Sequence, residues 1–182
     1  RLIEKSDDRP FFMHLSHYAV HTPIQTPEHY FPKYEAKARA LGLDTGKTFD
    51  IGGPFPCEHK KDQRITRRRV QSDPAYAGMV QNLDENIGRV LKALEETGKA
   101  DNTLVVFTSD NGGLATAEGA PTCNAPLNEG KGWMYEGGTR EPLLVKWPGV
   151  TRPDSVCTTP VTSPDFFPTL LEAAGLPPMP DK

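Results

Sequence analysis

The sequence predicts an α/β layered domain with a largely parallel sheet flanked by helices. Three observations carry that expectation. Thr103–Ser109 is a continuous β-branched and aromatic run, as expected of a strand buried on both faces. Residues 74–98 carry one apolar stripe at helical spacing. Strand, helix, strand, strand, helix then follow one another along the chain, without internal repeats.

The elements run in order. Pro10–Ser16 reads as a short buried strand, because Phe11, Phe12, Met13 and Leu15 crowd between proline and polar residues. A loop holds Tyr18 to Pro23, and Pro32–Leu41 suits a short helix. Residues 42–72 read as irregular, since Gly52-Gly53-Pro54 and Pro56 break any periodicity. Residues 33–72 are therefore expected to be an insertion on one domain spanning 1–182. Asp73 is placed to cap a helix with Pro74 in its first turn. Tyr76, Val80, Leu83, Ile87, Val90, Leu91 and Leu94 form its stripe, Asp84 interrupts it and Gly98 ends it. Pro142–Trp147 is a further strand, stopped by Pro148-Gly149. A last helix is expected from Asp165, its cap, to Gly175.

Bulk properties exclude some functions. The chain has 182 residues, 36% hydrophobic, with a formal net charge of −3. That balance argues against a nucleic-acid binder, whose footprint is strongly basic. No apolar run reaches the roughly 18–20 residues of a membrane span. Arg1–Ser6 has no signal-peptide core, and the chain opens on Arg rather than Met, so a beginning inside a longer protein is expected. Cys57, Cys123 and Cys157 form no CxxC pair.

Four clusters can carry chemistry. Asp110-Asn111-Gly112-Gly113 follows the buried strand, where ligands of α/β sheets bind. Its carboxylate and amide are hard oxygen donors suited to Ca²⁺ or Mg²⁺, although Asn-Gly is also an ordinary turn. Gly130-Lys131-Gly132 puts an ammonium on backbone that can approach an oxyanion closely, or simply into solvent. Downstream, Arg140 and Glu141 are placed to pair with each other. His17 and His21 are able to donate to an anion or protonate a leaving group, or to be surface residues. The run His59–Arg69 is a solvated basic face or a contact for a polyanion.

In this order the motifs resemble the formylglycine-dependent sulfatases of the alkaline-phosphatase superfamily. They are Phe11-Phe12 with His21-Thr22-Pro23, Leu83-Asp84-Glu85-Asn86-Ile87-Gly88, Ser109-Asp110-Asn111-Gly112, Gly130-Lys131-Gly132 through Glu136-Gly137-Gly138-Thr139-Arg140-Glu141-Pro142, Trp147-Pro148-Gly149 and Asp165–Leu171. The arylsulfatase and N-acetylgalactosamine-6-sulfatase branch is the most similar. The resemblance implies an alkaline-phosphatase-like domain that hydrolyses aryl or carbohydrate sulfate monoesters. It implies Asp110 and Asn111 as metal ligands, of Ca²⁺ or else Mg²⁺. Lys131 is implied at the sulfate and leaving oxygen, and His21 at the sulfate as proton donor. Both would be catalytic and substrate-binding.

The family nucleophile is a formylglycine made from Cys (or Ser) in Cys-x-Pro/Ala-x-Arg. Cys57-Glu58-His59, Cys123-Asn124-Ala125 and Cys157-Thr158-Thr159 do not fit that pattern. The resemblance thus implies a central piece of a sulfatase, inactive alone, whose N-terminal nucleophile region lies elsewhere. The partner it implies is a sulfated small molecule or glycan, and the location is periplasmic, extracellular or lysosomal. Two alternatives remain: a phosphatase or phosphodiesterase of the superfamily, which usually takes two metals with more His and Asp, or a non-catalytic domain binding sulfated glycans through 59–69.

Overall fold

The computed structural model describes residues 2–7, 9–44 and 46–179. Along the chain lie α1 (Leu2–Lys5), α2 (Phe31–Ala40), β1 (Phe49–Pro54), β2 (Arg64–Arg68), α3 (Pro74–Glu96), β3 (Val105–Thr108), α4 (Glu136–Thr139), β4 (Leu143–Lys146) and α5 (Phe166–Ala173). The chain is mixed α/β and divides into two units. One comprises Arg1–Ala100 with Thr108–Leu143, the other Asp101–Phe107 with Leu144–Lys182.

In the first unit α3 is the spine. Asp73 caps it as expected, accepting from the amides of Ala75 at 2.9 Å and Tyr76 at 3.1 Å. Its far end closes on Gly98, at φ +66°, which lets Lys99 donate to the Leu94 carbonyl and Gly98 to that of Glu95. Met79 and Leu94 are buried, and α2 packs alongside. Lys33 and the Tyr34 hydroxyl both donate to Gln81 across that packing. Buried Tyr30 donates to Glu85, which holds the Glu85 carboxyl below its usual range. Part of the predicted stripe remains open: Val80 is 43% exposed. Asp84 is exposed, so it needs no partner within a core.

Two expectations are corrected in this unit. Pro10–Ser16 is neither a strand nor buried; Phe12 is 78% exposed and Leu15 50%. A strand needs a neighbour for its N–H and C=O groups, and among the described residues none pairs with this segment. Conversely, residues 42–72 are not wholly irregular. β1 and β2 form an antiparallel hairpin, pairing Phe49 with Arg68, Asp50 with Arg67 and Ile51 with Thr66. The register shifts between Ile51 and Pro54, absorbing the glycines and proline that mask the alternation.

The hairpin's basic residues are not a plain solvated face. Ile65 between them is 4% exposed. Arg67 Nε donates to both carboxylate oxygens of Glu129, at 2.8 and 2.9 Å, and the Glu129 side chain is only 5% exposed. Arg68 donates to the Ala120 carbonyl, pairs with Asp73 at 3.7 Å and lies 4.6 Å over the Phe49 ring. Arg69 pairs with Asp50. These contacts tie β2 to the loops at 115–130, and a bidentate guanidinium–carboxylate pair of low exposure resists both screening and rotation.

In the second unit β3 pairs with β4. Both strands are shorter than their sequence runs, and β3 alternates in exposure rather than being buried throughout. Val106 is 38% exposed and Leu144 65%. The described strands thus form two two-stranded sheets. Helix α5 ends as expected on Gly175, at φ +67°. Asp165 does not cap it; its carboxylate instead accepts from the Thr162 amide and hydroxyl in a capping box around residues 163–165. Pro168 falls in the first turn of α5, where its missing N–H is no loss.

Candidate functional site

Three loops of the first unit converge. The loop at 18–23 carries His21, that at 110–113 carries Asp110 and Asn111, and that at 130–132 carries Lys131. The last two are stitched together by backbone. Lys131 N–H donates to the Gly113 carbonyl at 3.1 Å, and Gly112 N–H to that of Gly138 at 3.4 Å. The Asn124 amide donates to the carbonyls of Gly113, Glu129 and Gly137, at 2.8, 3.0 and 3.3 Å. The approach is too close for side chains: a Cβ on Gly112 would lie 1.8 Å from the Gly137 oxygen, and one on Gly130 2.2 Å from the Gly113 oxygen. Gly130 before Lys131 and Gly112 after Asn111 are therefore used for contact between loops, whereas Gly132 faces open space and serves the turn through its φ of +87°.

Lys131 and His21 meet across the chain, Nζ lying 2.8 Å from Nε2. The other ring nitrogen, Nδ1, lies 2.8 Å from the Thr22 carbonyl. A carbonyl only accepts, so Nδ1 carries the proton, and Nε2 is left with the lone pair that receives the Lys131 ammonium. The Tyr18 hydroxyl donates to the same carbonyl at 2.6 Å, and its ring lies 5.5 Å from the imidazole. Thr22 Oγ1 donates to Glu118 at 2.9 Å. Tyr18, Thr22 and Glu118 thus orient His21, and only Thr22 lies in a motif legible beforehand. His17 is exposed and makes no hydrogen bond among the described residues.

Asp110 is exposed and Asn111 half-buried; the Ser109 hydroxyl pins the Asn111 carbonyl at 2.9 Å. The expected Arg140–Glu141 pair does not form, because Arg140 reaches back one helical turn to Glu136 at 3.5 Å. Glu141 is left with a buried carboxylate oxygen that lacks a hydrogen-bond partner. Burial, and secondarily the charge of Asp110, push its carboxyl above the ordinary 4.5. This local excess of negative charge beside Asp110 is the kind a cation relieves. The donors are hard oxygens, as Ca²⁺ prefers, although two or three are fewer than the six to eight it takes. Among the described residues no group of three His, Cys, Asp or Glu converges on one point. Cys57, Cys123 and Cys157 are free thiols.

The raised Glu141 value fixes the sign of a pH effect. The folded chain binds this proton more tightly than the unfolded chain does. The resulting stability is full below the unfolded value and is lost as pH rises through the folded one. Glu141→Gln is therefore expected to raise Tm at pH 7 in chelator, with the gain vanishing near pH 4. Thermal unfolding at both pH values checks this; an unchanged or lower Tm at pH 7 refutes it.

The geometry can be set beside known proteins. The family model described as Sulfatase matches residues 1–176. A "Sulfatase" of Formosa agariphila is 39% identical over 177 residues, covering 92% of this chain and 26% of that protein. Arylsulfatase J of Mus musculus is 32% identical over 166 residues, covering 91% and 22%. N-acetylgalactosamine-6-sulfatase of Homo sapiens is 41% identical over 108 residues, covering 59% and 21%. The crystal structure of Ps i-CgsB in complex with k-i-k-neocarrahexaose superposes with a TM-score of 0.67 at 31% identity, covering 95% of this chain and 31% of that one. The chain thus spans about a quarter of the length of these curated relatives. With a family model matched over nearly its whole length, and relatives at this identity, the chain belongs to the sulfatase family.

Proposed function

We propose that this chain supplies the leaving-group side, and part of the metal side, of a site that hydrolyses sulfate monoesters. The observation that carries the reading is the 2.8 Å contact between Lys131 Nζ and His21 Nε2, formed by residues 110 positions apart. An anion would sit beside the pair, within reach of the ammonium and of an imidazole already oriented by the Thr22 carbonyl, since at 2.8 Å nothing fits between the two. Lys131 neutralises charge on the sulfate and on the departing oxygen. His21, held through Nδ1–H, becomes the proton donor of this reading once Nε2, which holds a lone pair while it faces Lys131, has taken up a proton to pass to the leaving alcohol. Asp110 and Asn111 are the metal ligands of this reading, with Glu141 as a nearby carboxylate. A bound Ca²⁺, or Mg²⁺ in its place, would polarise the sulfate oxygens. The attacking oxygen belongs to a formylglycine, for which no residue of this chain matches the precursor motif.

Strands β3 and β4 are, in the same reading, part of a larger layered, largely parallel sheet of the alkaline-phosphatase kind. Residues 33–72, carrying α2 and the β1–β2 hairpin, are an insertion upon it. The substrate is a sulfated small molecule or glycan, and the complex of Ps i-CgsB with k-i-k-neocarrahexaose supports the glycan side. Export is inferred from the family alone; no helix of the described residues is long and apolar enough to cross a membrane.

Calorimetry with 4-nitrophenyl sulfate and Ca²⁺ tests the reading. The chain is expected to bind the ester without turning it over, and in the active protein Asp110→Ala is expected to abolish stoichiometric Ca²⁺. Turnover by these residues alone, or unchanged metal content in Asp110→Ala, overturns it.

A further inference from the structure

The basic run at 59–69 has no role in the chemistry above, yet its charges are unevenly used. Of its six Lys and Arg residues, four are paired: Lys61 with Glu58, Arg67 with Glu129, Arg68 with Asp73 and Arg69 with Asp50. Lys60 and Arg64 form no ion pair among the described residues, and both line one groove. That groove, about 430 Å³, lies between the hairpin and the loop at 116–120. Its volume falls in the range of small-molecule sites.

The walls are not those of a simple anion trap. Phe49 and Phe55 line the groove, and the Lys60 ammonium sits 5.5 Å from the centre of the Phe55 ring. Beyond Phe55 the aromatic row continues through Trp133, at 6.5 Å between ring centres, to Tyr135, at a further 6.4 Å. Trp133 is itself fixed, its indole N–H donating to Thr116 of the groove at 3.0 Å. The groove also adjoins the candidate sulfate contact. Glu118 on its rim accepts from Thr22, the residue after His21, and Trp133 lies two residues beyond Lys131.

From this placement we propose that the groove is a second binding site for an anionic oligosaccharide. Lys60 and Arg64 would receive a sulfate or carboxylate on a sugar unit beyond the one whose ester lies at His21 and Lys131. The proposal rests on the reading of His21 and Lys131 as the sulfate contact. Apolar faces alternating with polar side chains suit sugar rings, which are flat on one face and hydroxylated at the edge. Two discrete cations beside aromatics suit charges spaced along a chain, whereas nucleic acid calls for a continuous basic stripe. An acidic peptide offers charge but no ring to lie on Phe55. The four paired cations hold the hairpin in shape, and the two unpaired ones are left to meet ligand.

The test is a two-by-two comparison by calorimetry at low salt. The ligands are a heparin-derived hexasaccharide and 4-nitrophenyl sulfate; the variants are Lys60→Gln/Arg64→Gln and Lys131→Ala. Circular dichroism melting confirms that each variant folds. The groove variant is expected to weaken hexasaccharide binding by roughly tenfold or more, with 4-nitrophenyl sulfate unchanged. Lys131→Ala is expected to weaken both. If the groove variant binds hexasaccharide within twofold of the parent, or if the parent binds none, the proposal is overturned. Equal binding of the desulfated and carboxyl-reduced hexasaccharide, or of decaglutamate, overturns it as well. Should Lys131→Ala leave 4-nitrophenyl sulfate untouched while the groove variant still loses the hexasaccharide, the His21–Lys131 reading fails and the groove stands as an independent glycan site.

Discussion

Lys131→Ala, in the active protein that contains this chain, is expected to lower kcat by about 10²–10⁴-fold while changing KM far less. In the proposed site the ammonium would meet charge that grows as the ester bond breaks, so its loss would fall on the transition state more than on the bound ester. Lys131→Arg is expected to rescue little. Lys131 Nζ reaches His21 from a glycine-flanked turn as a compact point charge, and a planar guanidinium fork does not fit the same contact. His21→Ala separates the two roles. With 4-nitrophenyl sulfate, whose leaving oxygen needs little protonation, the loss is expected to be small. With a carbohydrate sulfate, whose alkoxide is a poor leaving group, it is expected to reach about 10²-fold or more. Steady-state kinetics on both substrates decide the matter; equal losses from His21→Ala on both would remove the proton-donor role.

Gly112→Ala is expected to cost about 3 kcal/mol or more of stability. The new Cβ would sit 1.8 Å from the Gly137 carbonyl oxygen and 2.8 Å from Gly138 Cα, both backbone atoms that no rotamer change can move. Relief requires the two loops to part. That strains the Gly137 N–H bond to Asn128, 2.8 Å, and that of Gly138 to Tyr135, 2.8 Å. A fall in Tm of roughly 6–12 °C corresponds to that loss for a chain of this size. Activity should fall further than stability explains, because the loop bearing Asp110 and Asn111 moves away from Lys131. Gly88→Ala is the contrast. Gly88 is exposed within α3, with nothing within 4 Å of a new Cβ, so alanine there is expected to stabilise by about 0.4–1 kcal/mol. Equal Tm values for the two variants would show that the Gly112 contact is not closed in solution.

Much of the chain is decided within a few residues of itself. The start of α3 at Asp73 and its end at Gly98 are legible because the cap and the left-handed turn satisfy backbone groups no more than five positions away. The Gly175 stop of α5 is legible for the same reason. So are the candidate residues themselves, whose types and spacing carry the family resemblance.

What local sequence could not decide depends on which partner the fold sets opposite each group, near or far along the chain. Phe11, Phe12 and Leu15 have strand composition, but a strand exists only where a neighbour takes up its hydrogen bonds. The Arg67-Arg68-Arg69 run has the composition of a solvated face. It became a set of ties because Glu129, Asp73 and Asp50 stand opposite, and ion pairs depend on distance in space. Asp165 has the composition of a cap, yet Thr162 claimed its carboxylate. The meeting of His21 with Lys131 likewise required tertiary structure. The sequence determined which groups were available, and the folded loops decided which of them meet, because hydrogen bonds and charge interactions act over a few ångströms whatever the separation along the chain.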